Sequence, residues 1–307
     1  MFGFIPEGLE LLLQRELTEF AFGLSQQLDL YFDFVRLQVV EESFNVLVLS
    51  EPPSVMPENY APKILKSFDL VIPLSPWRAE IMGLPCFAYQ PVEIPNKVLH
   101  REVKESKLVL VNALKFGSVG SSLYGWRLDI LKKLQQAGLS VDVYGPNWDM
   151  SLLMEIRKRF AATRRAFSNK DFLLSEAWRK FSFRPLGLRG QTQDKFETIS
   201  RYKFALVIEN DQFSLTEKLF DALFSGAIIF YRGPTLAKYT SLGNYCYELP
   251  EDVDSAVEVI KSFIEIPESQ KLQLDFRELE DKDFARPFSL ESTSKSLAAA
   301  IISALGS

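Results

Sequence analysis

Short, nearly unbroken apolar runs alternate with helical segments along much of this chain, and that alternation restricts its fold more than any other feature. Phe44-Asn45-Val46-Leu47-Val48-Leu49-Ser50, closed by Glu51-Pro52-Pro53, reads as a strand buried on both faces. Ala61 to Ser67 predicts a short helix and Phe68 to Pro73 a second strand. The stretch from Pro73 to Pro95, with prolines at 73, 76, 85, 91 and 95, reads as loop-rich and as a place for a domain edge. A fresh series starts with the strand Lys107 to Asn112 and a polar loop from Gly117 to Ser122. The helix Gly125 to Ala137 follows, with Leu128, Leu131 and Leu134 on one face and Gly138 as its stop. Ser140 to Gly145 is the next strand. Trp148 to Arg189 has weak periodicity and receives no assignment.

From Tyr202 the alternation sharpens. Phe204 to Ile208 is a strand ending in Glu209-Asn210, and Leu215 to Ser225 a helix with Leu215, Leu219, Ala222 and Leu223 on one face. Ala227 to Tyr231 is a strand turned by Gly233-Pro234, and helices are expected over 255–264 and from about 290 to 305. Two consecutive series predict an α/β protein of GT-B-like architecture, two doubly wound, Rossmann-like parallel-sheet domains facing a cleft. Ligands of such sheets bind at the carboxyl ends of the strands.

Composition narrows the chemistry. A net charge of -5 and a pI near 5.3 do not suit a polyanion partner, so no nucleic acid is expected. The run Arg157, Lys158, Arg159, Arg164, Arg165 reads as a solvated helix face. Cys86 and Cys246 lack CxxC spacing, and His100 is the only histidine. Cysteine zinc sites and multi-histidine metal sites are thereby excluded, and acid–base work falls to carboxylates. No run approaches the ~20 apolar residues of a membrane span. The start of the chain lacks a basic n-region, so a cytoplasmic protein is expected. Peripheral membrane contact and oligomeric state stay open.

The most informative stretch is Glu209-Asn210-Asp211-Gln212-Phe213-Ser214-Leu215-Thr216-Glu217-Lys218-Leu219. Ser214 followed three residues on by Glu217 spells a capping box, which sets the helix start after the strand. The first helical turn offers amides and a positive dipole end to a diphosphate, Lys218 adds a point charge, and Asn210 can hydrogen-bond a polar ligand. Taken alone, these residues fit a capped helix with a surface lysine equally well.

Tyr202-Lys203-Phe204, Glu209-Asn210, Thr216-Glu217-Lys218-Leu219, Asp221-Ala222 and Tyr231-Arg232-Gly233, in that order, resemble the donor signature of the family 10 fucosyltransferases. Ser214 stands where that family usually has Tyr, and Arg232 where it has Trp. The resemblance implies an inverting transferase that moves L-fucose from GDP-fucose to a glycan hydroxyl without a metal or other cofactor. It also implies that Glu217 holds the donor ribose and Lys218 the diphosphate, with Asn210 beside them. Another nucleotide sugar, or a non-catalytic nucleotide- or glycan-binding module, are the alternatives.

Glu51 in Glu51-Pro52-Pro53 resembles the family's E-S-P segment, which implies the base that deprotonates the acceptor. On its own it reads rather as the start of a Pro-rich turn, and only its pairing with the donor motif favours the base; Glu58 and Glu80 are its nearest competitors. Arg127, early in its helix, is expected to clamp a phosphate or to pair with Asp129 or Asp142. Lys195 and Ser214 are weaker donor-side candidates. Asp252-Val253-Asp254 has the spelling of a metal motif but follows Pro250 at a helix start, where Asp is a favoured cap, so no metal site is expected. The expected divisions are an acceptor-side domain over 1–106 carrying the base, a donor-binding domain over 107–288, and a C-terminal helix over 289–307 packing back on the fold.

Overall fold

The computed structural model describes residues 2–3, 7–21, 27–33, 42–85, 88–94, 98–99, 104–115, 119–148, 183–265 and 283–306. His100, Cys86 and the basic run from Arg157 to Arg165 lie outside the described residues. The chain divides into two compact units. One comprises Met1–Ile94, Phe213–Leu215 and Asp283–Ser307, and the other Pro95–Gln212 and Thr216–Lys282. The expected cut near residue 106 thus falls inside the second unit, and the C-terminal helix belongs to the first.

The first unit contains β1 (Phe2–Gly3), α1 (Leu9–Ala21), β2 (Leu28–Phe32), β3 (Phe44–Leu49), α2 (Pro62–Leu65), β4 (Leu70–Pro73) and α3 (Pro76–Met82). The strands form a parallel sheet in the order β1-β2-β3-β4. Strand β3 is buried on both faces, which explains its unbroken apolar run. Val46 and Val48 pack with Leu9, Leu13, Leu30 and Ile72, whereas Leu47 and Leu49 pack with Tyr31, Phe68 and Val71. Leu297, Ala298 and Ile301 of the C-terminal helix Leu290–Leu305 complete the first of these faces. Helix α3 was not expected within the loop-rich stretch 73–95, whose end coincides with the division of the units between Ile94 and Pro95. Ser75 Oγ accepts from the Arg78 amide, Pro76 opens the helix, and Gly83 closes it at φ 66°. The punctuation residues are its start and stop signals.

The second unit runs β5 (Glu105–Val111), α4 (Tyr124–Gln136), β6 (Val141–Tyr144), β7 (Leu188–Gly190), α5 (Lys195–Ser200), β8 (Tyr202–Ile208), α6 (Glu217–Phe224), β9 (Ile228–Arg232), β10 (Tyr247–Glu248) and α7 (Val253–Glu265). Its six parallel strands are ordered β10-β9-β8-β5-β6-β7. The chain moves outward from β5 through β6 to β7, then returns to the other side of β5 with β8. The switch point between β5 and β8 is where such a sheet leaves a crevice at its carboxyl edge. Leu128, Leu131 and Leu134 of α4 and Ile260 and Phe263 of α7 join Leu110, Val143, Phe204 and Phe230 of the strands in one core. Among the described residues, no helix is long and apolar enough to cross a membrane.

Candidate functional site

At the carboxyl edge of the second unit's sheet lies an open depression of about 310 Å³. It is lined by Asn112 and Lys115 after β5, Gly145 after β6, Thr192 after β7, Lys195 of α5, Asn210 after β8, and Glu217 and Lys218 of α6. Four expected site residues, Lys195, Asn210, Glu217 and Lys218, therefore line one cavity at the switch point. Gly145 fits because it has no side chain. Its backbone is at φ 138°, and a Cβ there would lie 2.1 Å from the Asn112 carbonyl oxygen.

The loop that closes β8 is organised by Glu209, which sequence reasoning quoted within the motif but gave no role. Its side chain is fully buried. Oε1 accepts from the Thr216 amide at 3.1 Å, and Oε2 accepts from Thr216 Oγ1 at 2.6 Å and Lys218 Nζ at 3.3 Å. Lys218 Nζ also donates to Thr216 Oγ1 at 2.8 Å. Gly233 makes room for this carboxylate, since a Cβ there would lie 2.8 Å from Glu209 Cγ and 2.3 Å from Tyr231 Oη. Lys218 keeps 15% of its side chain exposed.

The Glu209 network corrects the expected capping box. Helix α6 starts at Glu217 with Thr216 as N-cap, and the Thr216 hydroxyl is spent on Glu209 instead of on helix amides. Ser214 is buried and belongs to the first unit, with Phe213 and Leu215. Glu217 is half exposed, and its Oε1 lies 3.5 Å from Lys195 Nζ. Partial burial pushes its carboxyl up, but the ammoniums of Lys218 and Lys195 and hydrogen bonding outweigh that and hold it below the usual range.

Arg127 departs from expectation. The residue is 1% exposed, and its guanidinium is directed at backbone carbonyls. Nη1 donates to Ala113 O at 2.9 Å, and Nη2 to Ile208 O at 3.1 Å and Glu209 O at 3.2 Å. It ties together the chain beyond β5 and β8 beneath the cavity and is no cavity-lining cation. Ser121 and Asp211 add a second tie. Ser121 Oγ donates to the buried Asp211 carboxylate at 2.6 Å, and the Leu123 amide donates to Asn210 O at 3.1 Å. Arg232, where the resembled family has Trp, stacks 5.9 Å over the Trp126 ring.

In the first unit, Glu51 lies two residues beyond the end of β3 and is half-buried. Its amide donates to Asp33 Oδ1 at 2.9 Å, and its carbonyl accepts from Tyr60 OH at 2.8 Å. Asp33 was missed in the sequence, where it is one acid after a strand with no motif around it. Glu80 is exposed and Glu58 half-buried. The Asp252-Val253-Asp254 pair is divided between two local tasks. Asp252 Oδ1 accepts from the Ser255 amide at 2.8 Å, and Asp254 pairs with Lys133 at 2.6 Å. Among the described residues, no group of three or more His, Cys, Asp or Glu could hold a metal ion.

No protein-family model and no curated protein matches this sequence. Solved structures do match it. An alpha,alpha-trehalose 6-phosphate synthase from Burkholderia multivorans superposes with a TM-score of 0.54 at 12% identity, over 97% of this chain and 77% of that one. The pneumococcal O-GlcNAc transferase in complex with UDP and GlcNAc gives 0.52 at 13%, over 95% of this chain and 60% of that one. The chain has the GT-B glycosyltransferase fold. An alpha1,3-fucosyltransferase with GDP is also matched, with a TM-score of 0.46 at 15% identity over 92% of this chain and 79% of that one. The chain spans 60% of the length of the pneumococcal transferase it matches.

Proposed function

We propose that this protein is an inverting glycosyltransferase that moves L-fucose from GDP-fucose to a hydroxyl of a glycan without a metal ion. One observation carries the reading: Lys195, Asn210, Glu217 and Lys218 line a single cavity at the switch point of a GT-B sheet. Lys218 and Lys195, with Lys115 at the same cavity, meet the diphosphate and supply the charge a divalent ion would otherwise bring. Glu217 takes the ribose hydroxyls, and Asn210 adds an amide beside them. Arg127 acts from below as a support for the strand ends.

In the reaction the acceptor oxygen bonds to C1 of the sugar while the bond from C1 to the diphosphate oxygen breaks. The acceptor proton passes to Glu51, and the negative charge leaves with the nucleoside diphosphate toward the lysines.

The test is release of nucleoside diphosphate from GDP-fucose and a panel of other nucleotide sugars with EDTA present, comparing wild type with Glu51→Gln and Lys218→Ala. Release selective for GDP-fucose and lost in both variants supports donor, metal independence and residues together. A second reading, the same chemistry with a UDP sugar, is favoured by the UDP and GlcNAc held in the pneumococcal structure. Selective release of UDP would establish it. Binding of GDP without turnover of any donor and acceptor would point to a non-catalytic module, and binding of no nucleotide sinks every one of these readings.

A further inference from the structure

Strand β2 ends in an unusual way. Asp33 has φ 45°, in the left-handed region that side chains other than Asn, Asp and Gly rarely enter. Its amide still donates to Val48 O at 3.0 Å, so the residue extends the ladder to β3 before the chain turns. Its side chain reaches the end of β3. Oδ1 accepts from the Ser50 and Glu51 amides, each at 2.9 Å, and Oδ2 accepts from the Ser50 hydroxyl. The residue is 5% exposed. Burial pushes its carboxyl above the usual range, only partly offset by those hydrogen bonds and one from Asn59. A left-handed backbone and a desolvated carboxylate are both unfavourable, and the surrounding structure holds them together at one residue.

What the two costs secure is the backbone on either side of Glu51. Its N–H is held by Asp33 and its C=O by Tyr60, so the origin of the Glu51 side chain is fixed from both directions. A Ser or Asn could cap a turn here. A carboxylate that gathers both the Ser50 and Glu51 amides holds it more tightly, because hydrogen bonds to an ionised acceptor are roughly twice as strong.

We propose that Asp33 is a positioning residue that sets the place of Glu51 for proton abstraction from the acceptor. This rests on the reading of Glu51 as the base.

The experiment compares wild type, Asp33→Asn, Glu51→Gln and the double variant, using GDP-fucose turnover, GDP binding by calorimetry and backbone amide exchange. Asn tolerates the left-handed backbone and keeps one acceptor oxygen, so the fold is preserved, and unchanged GDP binding confirms that. Asp33→Asn is expected to lower kcat by about tenfold, leave the donor KM and GDP Kd within about twofold, and speed exchange of the Ser50 and Glu51 amides. In the Glu51→Gln background it should have no further effect on kcat, an outcome that a general loss of stability would not produce. A kcat within twofold of wild type, or an equal loss in both backgrounds, overturns the inference. Full activity of Glu51→Gln overturns the base reading itself, and the proposal with it. If no turnover is measured with this donor, unchanged exchange at Ser50 and Glu51 in Asp33→Asn overturns it.

Discussion

The Lys218 ammonium lies 3.3 Å from the fully buried Glu209 carboxylate, with the Thr216 hydroxyl bonded to both. The cation at the cavity is thus half of a pair whose other half has no access to water. Removing Lys218 strands the carboxylate, and breaking such a pair costs ~3–5 kcal/mol where both partners are buried, less here because Lys218 is partly exposed. Lys218→Ala is expected to lower Tm as well as abolish nucleotide binding. Glu209→Gln should destabilise less, since it leaves a neutral group. Thermal melts of the two variants, with GDP binding measured below both transitions, separate the structural loss from the binding loss.

Arg127 has a comparable status. Three carbonyls share its guanidinium. Arg127→Ala should destabilise the protein by ~2–4 kcal/mol through buried carbonyls that lose a charged donor. Arg127→Lys should rescue little, because one ammonium cannot reproduce the planar fork. Chemical denaturation checks both, and a stable Arg127→Ala with weakened GDP binding would instead favour a direct phosphate contact.

Glu217 predicts a pH dependence. Its carboxyl is held below the usual range in the folded state, so its contribution is fully present above the unfolded value of ~4.3 and is lost as pH falls through the lower folded value. The half-exposed side chain limits this to well under ~1 kcal/mol. The difference in stability between wild type and Glu217→Gln, followed from pH 6 to pH 3, should hold steady above the unfolded value and shrink as pH falls from there through the lower folded value.

Gly145 should not tolerate a side chain. A Cβ would meet the Asn112 carbonyl at 2.1 Å, and the φ of 138° adds strain. Gly145→Ala is expected to shift the ends of β5 and β6 and cost ~2 kcal/mol or more. A melt within a degree of wild type would show that the strand ends yield freely.

The C-terminal helix is part of a core and no appendage. Leu297 and Ile301 are fully buried against Leu9, Leu13 and the β3 face. Ile301→Ala is expected to cost ~2–5 kcal/mol, measurable by denaturant unfolding.

What the sequence determined by itself was local. The apolar runs at 44–50, 107–112 and 204–208 and the leucine spacing of α4 define strands and a helix within a residue or two, because periodicity and caps act over a few positions. The order of those elements was enough to expect the GT-B fold. That Asn210, Glu217 and Lys218 gather at one sheet edge was legible, because Asn210 follows one strand and the other two open the next helix within ten residues. Tertiary structure decided the rest, through partners distant in the chain. Arg127 was spent on Ile208 and Glu209 because α4 follows β5, and β5 pairs with β8. Ser214 lost the cap because Glu209 captured Thr216. Asp33 reached Glu51 because β2 lies beside β3. The C-terminal helix returned to the first unit, whose sheet had an apolar face to cover. A residue's chemistry is written in its own position, but the partners that use that chemistry are set by strand order, and no local pattern encodes them.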